Sequence, residues 1–197
     1  MMTTLANRLA RQSTADHATP SHRTRSHPSA GSGLDLSPRL RRLVALVALA
    51  MSAAATIALV RGLSGIAPYH SNVRELAIIV HVATVLPAIP LGGWLLLSRK
   101  GGRLHRTLGR VWVGLMVTTA LAALFIGQGG GALHISPIQV FVPLTLAASW
   151  KLVTAARRGD IKTHRKEVLI LFLGALTIPG LVAFAMPGRM MNTWLFG

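Results

Sequence analysis

Histidine is the residue type in this chain whose number and placement could do chemistry. Eight occur, against five acidic residues and no cysteine. An imidazole can bind a metal or exchange a proton near neutral pH. The lack of cysteine excludes disulfides, thiolate metal sites and cysteine nucleophiles. So few carboxylates leave acid/base pairs nearly unavailable. No serine-centred nucleophile motif or phosphate-cradling loop is present, and the run Gly129-Gly130-Gly131 has no Lys, Ser or Thr behind it. His17, His22 and His27 recur at five-residue spacing in a polar stretch and read as solvated side chains. His70, His81, His105, His134 and His164 remain, distributed around long apolar runs.

Those runs must position the histidines. The 197 residues are 51% hydrophobic and 13% charged, with a mean hydropathy of +0.51, more apolar than a soluble domain of this length covers with polar surface. Residues 1–42 carry Ser, Thr, Pro, Gly, His and Arg and read as a disordered basic tail. Five runs follow in the 43–197 region, at about 43–60, 76–97, 108–126, 137–154 and 168–186. At 1.5 Å per residue an 18-residue run reaches ~27 Å, enough to span a bilayer core. Segments this apolar should be helices, because lipid offers no partner for open backbone. The expectation is an all-α integral membrane protein: about five transmembrane helices, a four-helix core bundle plus an N-terminal helix, and the tail. The first run follows Arg39, Arg41 and Arg42 as a signal peptide would, but a leader this long with further spans behind it reads better as an uncleaved signal anchor.

The net charge of +16 resembles that of a nucleic-acid binder, yet the cations avoid the runs and gather in the tail and in two connections. Arg99, Lys100, Arg103, Arg106 and Arg110 hold one; Arg157, Arg158, Lys162, Arg165 and Lys166 hold the other. The positive-inside rule makes both connections, and the N-terminus, cytoplasmic in a bacterial-type inner membrane, with the C-terminus outside. The lipid bilayer is then the partner of the chain, and nucleic acid is not. Trp94, Trp112 and Trp150 fall near the cytoplasmic ends and read as headgroup-level anchors. Pro87, Pro90 and Pro179 should kink their helices.

In this frame His81 lies inside the second span, ~9 Å from its outer end at six residues of 1.5 Å each. An ionisable side chain in hydrocarbon is a site hypothesis, balanced against a neutral ring bonded to a neighbouring carbonyl. His105 and His164 each precede a helix in a basic connection, at one membrane face, and would meet if the third and fifth helices are neighbours; interfacial contact with lipid headgroups explains them equally. No buried carboxylate is expected. Asp160 should cap the following helix or hold His164.

The segments His105-Arg106-Thr107-Leu108-Gly109-Arg110, Ser136-Pro137-Ile138, Arg157-Arg158-Gly159-Asp160-Ile161-Lys162-Thr163-His164-Arg165 and Pro187-Gly188-Arg189 resemble the bacterial membrane-protein family called domain of unknown function 2306, over about 76–189. The family is uncharacterised, so the resemblance implies membership and little function. The helix order also resembles cytochrome b-561 proteins, whose crossed histidine pairs ligate two b haems. That resemblance implies His105 and His164 as an inner pair of haem-iron ligands and His81 in an outer site. Where the pattern expects a histidine opposite His81, this chain has Gln139, a poor ligand, so His134 or His70 would have to replace it. Two functions stay open. One is a b-type haem-binding electron-transfer protein using His81, His105, His164 and His134, with a redox partner or membrane subunit. The other is a non-redox membrane protein, a small transporter or a partner-binding scaffold.

Overall fold

The computed structural model describes residues 36–126 and 137–197. The chain divides into two units, Met1–Ser32 and Gly33–Gly197, and the second carries the described fold. Six helices are named here: α1 (Pro38–Leu63), α2 (Leu76–Leu97), α3 (Arg103–Phe125), α4 (Phe141–Arg158), α5 (Ile161–Ala185, with a π-helical stretch at Ile170–Thr177) and the short α6 (Met190–Phe196). Short 3-10 turns, Ser71–Arg74 and Pro137–Val140, precede α2 and α4. No strand occurs among the described residues.

Five of these helices are long and apolar enough to cross a membrane, and within them only 22–33% of the residues of each span are covered by protein. Leu46, Leu49, Val60, Ile79, Leu144 and Leu181 stand exposed. Water could not surround that surface at tolerable cost, whereas acyl chains do so freely. The sequence expectation of five spans therefore holds, with helix ends shifted. α1 starts at Pro38, four residues before the predicted tail ends, because Ser37 accepts a hydrogen bond from the Leu40 amide at 3.3 Å and Pro38 fills a position needing no N–H. α3 likewise begins at Arg103 rather than near 108. α4 runs Phe141–Arg158 and α5 begins at Ile161, not near 168. In each case helix continues through the basic segment beyond the apolar run, since hydropathy marks the hydrocarbon and not the helix.

Helices α2, α3, α4 and α5 form a closed ring in which each packs on the next and α5 returns to α2; α1 leans on α2 and α5. This is the predicted four-helix core with an added N-terminal helix. Helix α1 contributes Val44, Ala48, Met51, Ala55 and Ala58, a stripe at alternating four- and three-residue spacing that faces the ring. The α2–α3 seam is the most extensive and is antiparallel. Trp112 Nε1 donates to the Ala88 carbonyl at 2.9 Å, and seven residues further along each helix His81 Nδ1 meets the Thr119 carbonyl at 3.0 Å. Between these, the Thr84 and Thr119 hydroxyls are 2.7 Å apart. Trp112 is thus a core residue, 2% exposed, and not the headgroup anchor its position suggested; Trp94 and Trp150 remain exposed. A β-carbon on Gly92 would stand 2.7 Å from Trp112 Nε1 and 2.8 Å from Phe172 Cδ2, so the seam closes only over a residue without one.

The basic connections act as helix caps. Lys100 Nζ donates to the Leu96 and Ser98 carbonyls and Arg41 reaches the Leu97 carbonyl at 3.4 Å, placing cations on the negative end of α2. Burial, with Arg41 and Arg165 nearby, holds the Lys100 ammonium below its ordinary value. Between α4 and α5 the turn is two residues long: Gly159 takes φ 72°, and Asp160 Oδ1 accepts from the Thr163 amide at 3.0 Å.

Two measurements follow from this packing. Gly92→Ala should destabilise the detergent-solubilised protein by about 1–3 kcal/mol, the usual cost of overpacking, read as a lowered melting temperature. Bonds to Thr163 hold the Asp160 carboxyl below its ordinary value. Its capping contribution is therefore complete above about pH 4 and vanishes as pH falls through the depressed native value. Asp160→Ala should lower the melting temperature at pH 7, while Asp160→Asn, which keeps an acceptor, should lose the acid-dependent part of the melting profile.

Candidate functional site

Within the ring, in the half away from the basic connections, lies a cavity of about 300 Å³ bordered by residues of all six helices. This volume is at the lower end of small-molecule sites. It exists because the two ends of the ring are packed differently. Toward the basic end, Trp112 and Phe172 meet at Gly92 and, with Leu171, are almost completely buried. Toward the far end the facing positions are small, including Ala120, Ala123, Ala175 and Gly180, and cannot fill the centre. Pro179 gives no N–H to the preceding turn of α5, which widens into the π-helical stretch; there Thr177 Oγ1 donates to the Phe172 carbonyl five residues back at 2.8 Å.

His81 is the ionisable side chain of the wall's interior. Its Nδ1 lies 3.0 Å from the Thr119 carbonyl, which can only accept, so Nδ1 carries the proton. In the neutral ring Nε2 is then the lone-pair nitrogen left to the cavity. Thr119 and Thr145 border the same space, with Gln139 on the turn before α4. Met51, Met116, Met190 and Met191 line it too, four of the chain's seven methionines, giving an adaptable, polarisable wall. No carboxylate is among the lining residues. At the rim sit His70, whose Nε2 is 3.3 Å from the Gly188 carbonyl, and exposed Arg189.

At the far end α6 packs on α1 beside the cavity. Arg61, in the last turn of α1, donates through Nε to the Trp194 carbonyl at 2.9 Å and through Nη2 to the Gly197 carbonyl at 2.6 Å. Trp194 is buried against α1 with Ala58, and Asn192 Nδ2 donates to the Phe184 carbonyl at 2.6 Å. Arg61 is thus a clasp on α6, the helix that carries Met190 and Met191 of the cavity wall.

The remaining histidines lie elsewhere. His105 on α3 and His164 on α5 stand at the basic end on helices that face each other diagonally across the ring, so the two are not on neighbouring helices. They are near enough for their charges to interact. His164 Nδ1 is 3.3 Å from the Leu152 carbonyl, and Asp160 therefore caps its helix and does not hold His164. His105 Nδ1 is buried without a hydrogen-bond partner, as is Ser149 Oγ. One turn beyond His164 lies Glu167, only 6% exposed. The expectation of no buried carboxylate is corrected here: α5 starts seven residues earlier than the apolar run, which carries Glu167 into the packed part of the helix. The Gly159-Asp160 turn was the signal for that earlier start. His134 lies outside the described residues.

A b haem would need two imidazoles, or one and a cleft. At the basic end the donors fit, since His164 keeps Nε2 in the orientation that a carbonyl-held ligand adopts and His105 lies opposite. The space beneath them is occupied by Trp112 and Phe172. At the far end the cavity has His81, with Gln139 where a second imidazole would stand. No group of three or more histidine, aspartate or glutamate side chains suited to a metal ion occurs among the described residues.

These features define a multi-pass α-helical membrane protein with a cavity in one half of its bundle. The chain belongs to the family described as Predicted membrane protein (DUF2306), whose model matches residues 78–193. That match covers α2 to α5 and most of α6, hence the ring, His81, His105 and His164, and leaves α1 outside. No curated protein and no solved structure matches the chain.

Removing the clasp tests whether α6 belongs to the cavity wall. Arg61→Ala should increase hydrogen exchange at 190–197 and leave exchange in α4 unchanged; equal protection with and without Arg61 would contradict the assignment.

Proposed function

We propose that this protein is a non-redox, intramembrane binding protein for a small, largely apolar molecule, held in the far half of the bundle with His81 as its buried polar contact. The observation that carries the reading is the cavity itself: a predominantly apolar space with one imidazole nitrogen unspent on the protein. Convergence of an apolar pocket and a few placed polar atoms is the usual form of a small-molecule site. The rings that fill the basic half favour binding over passage, because a transported molecule would have to displace Trp112 and Phe172 to reach the other face.

By the positive-inside rule the basic end of the bundle is cytoplasmic, with the N-terminus inside and the C-terminus outside a bacterial-type inner membrane. The cavity then faces the outer leaflet. A tag after Gly197 should be labelled by a membrane-impermeant reagent in intact spheroplasts, and one before Met1 only after permeabilisation.

For the binding reading, 1-aminoanthracene, an apolar fluorophore of suitable size, should show one saturable site with enhanced, blue-shifted emission in nanodiscs containing the protein. Ala123→Phe should abolish it with little change in melting temperature. Binding that does not saturate, or that persists in this variant, would remove the reading.

A second reading, a b-type haem at the basic end serving electron transfer, is supported by the diagonal placement of His105 and His164 and by the unspent Nε2 of His164. Such a haem would supply one-electron redox chemistry. Reduced-minus-oxidised spectra of protein expressed with ample haem discriminate the two: Soret and α bands lost on His105→Ala or His164→Ala establish it, and a flat spectrum excludes it.

A further inference from the structure

The hydrogen atoms of the cavity's buried polar groups are already committed. His81 gives its Nδ1 proton to the Thr119 carbonyl. The Thr145 hydroxyl gives its proton to the Phe141 carbonyl at 2.6 Å. Thr84 has the Val80 carbonyl at 2.8 Å and the His81 carbonyl at 3.1 Å as acceptors, so in the pair with Thr119 it is Thr119 that donates. A hydroxyl has a single proton. What the wall presents inward is therefore lone pairs: Nε2 of His81 and the oxygens of Thr119 and Thr145. Pro90 adds to this, since it supplies no N–H to the Leu86 carbonyl. The lining groups able to donate, Gln139, His70 and Arg189, lie on the connections outside helices α2 to α5, and Gln139 and His70 already have partners, so the lining side chains of those four helices offer His81's neighbourhood acceptors.

An acceptor-only interior discriminates between ligands. A ketone, quinone, ether or carboxylate oriented toward His81 would set lone pair against lone pair and leave Nε2 unpaired. A hydroxyl resolves both. The four methionines favour a flat aromatic body, because thioether sulfur packs well at ring edges. Resting on the cavity reading above, we propose that the site selects a lipid-soluble phenol, whose hydroxyl donates to Nε2 of His81 while its apolar substituent lies among Met51, Met116, Val85 and Leu176.

The test is a matched pair: 4-hexylphenol and 4-hexylanisole, which share ring and alkyl chain and differ by methylation of the donor. Each is titrated into the full chain in nanodiscs, with empty nanodiscs as the partition baseline. The phenol should bind about tenfold more tightly than the ether, the value of one buried hydrogen bond. In His81→Phe that ratio should fall to about one. In Thr56→Ala, a hydroxyl on α1 that bonds the Ser52 carbonyl outside the cavity, it should persist. Equal binding of phenol and ether by the wild-type chain overturns donor selection, and this comparison stands even if His81→Phe does not fold. An undiminished ratio in a folded His81→Phe overturns the role of His81. Binding of 1-aminoanthracene without either hexyl compound overturns this inference alone, whereas failure of all three removes the cavity reading with it.

Discussion

In hydrocarbon every backbone or side-chain polar group must find its partner within the protein, and this constraint organises the bundle. The α2–α3 seam meets it with two side chains, Trp112 and His81, each donating to a carbonyl of the opposing helix, seven residues apart on both strands of the seam. That register fixes α3 against α2. The other ring helices then fit around a pair whose relative height and rotation are set. Gly92 belongs to the same constraint, because the indole can reach the Ala88 carbonyl only if α2 presents no side chain beneath it and Phe172 of α5. Satisfying a polar group and closing the ring are thus one event at the basic half.

At the far half the same rule has a different consequence. Small residues on the facing helices leave a space, and the prolines of α2 and α5 remove donors from its surroundings without introducing others. Trp194 packs on α1 outside the ring, held by Arg61, while Phe141 and Phe184 reach only the cavity's wall. An unfilled space in an otherwise packed bundle carries lost dispersion contacts, and a ligand that restores them is favoured before any hydrogen bond is counted.

Much of this was legible in the sequence. Runs of apolar residues separated by basic or glycine-rich connections gave five spans and the four-helix core, because lipid imposes a long, one-dimensional pattern that needs no partner information. The imidazole at 81 stood out for the same reason. What hydropathy could not supply was helix ends and rotation. It stopped α5 at 168 and so missed buried Glu167, although Gly159 and Asp160 carried the left-handed turn and the cap that start the helix earlier. It placed Trp112 at the headgroups on statistical preference, whereas the indole N–H found a carbonyl inside. Arg61's hold on α6 depends on contacts 133 and 136 residues apart, and the cavity on how separate helices rotate against one another, so neither had a local signature.

The crossed placement of histidines that suggested cytochrome b-561 proteins follows from the ring topology, and neither the family match nor any curated or solved protein supports that likeness. In any four-helix ring with sequential neighbours, the first and third helices lie on one diagonal and the second and fourth on the other. Polar residues near helix starts then fall in crossed pairs at opposite ends: His81 and Gln139 at one, His105 and His164 at the other. The crossing is a property of the topology and does not by itself specify a haem. What differs between the ends is whether the centre is filled. At the basic end Trp112 and Phe172, two turns beyond His105 and His164 on the same helices, are almost fully buried, so the space beneath these histidines is closed. At the far end His81 borders a space that is not filled by side chains, with His70 at its rim. On the binding reading the polar contact to a bound molecule therefore falls to His81, whereas a group entering between His105 and His164 would first have to move an indole.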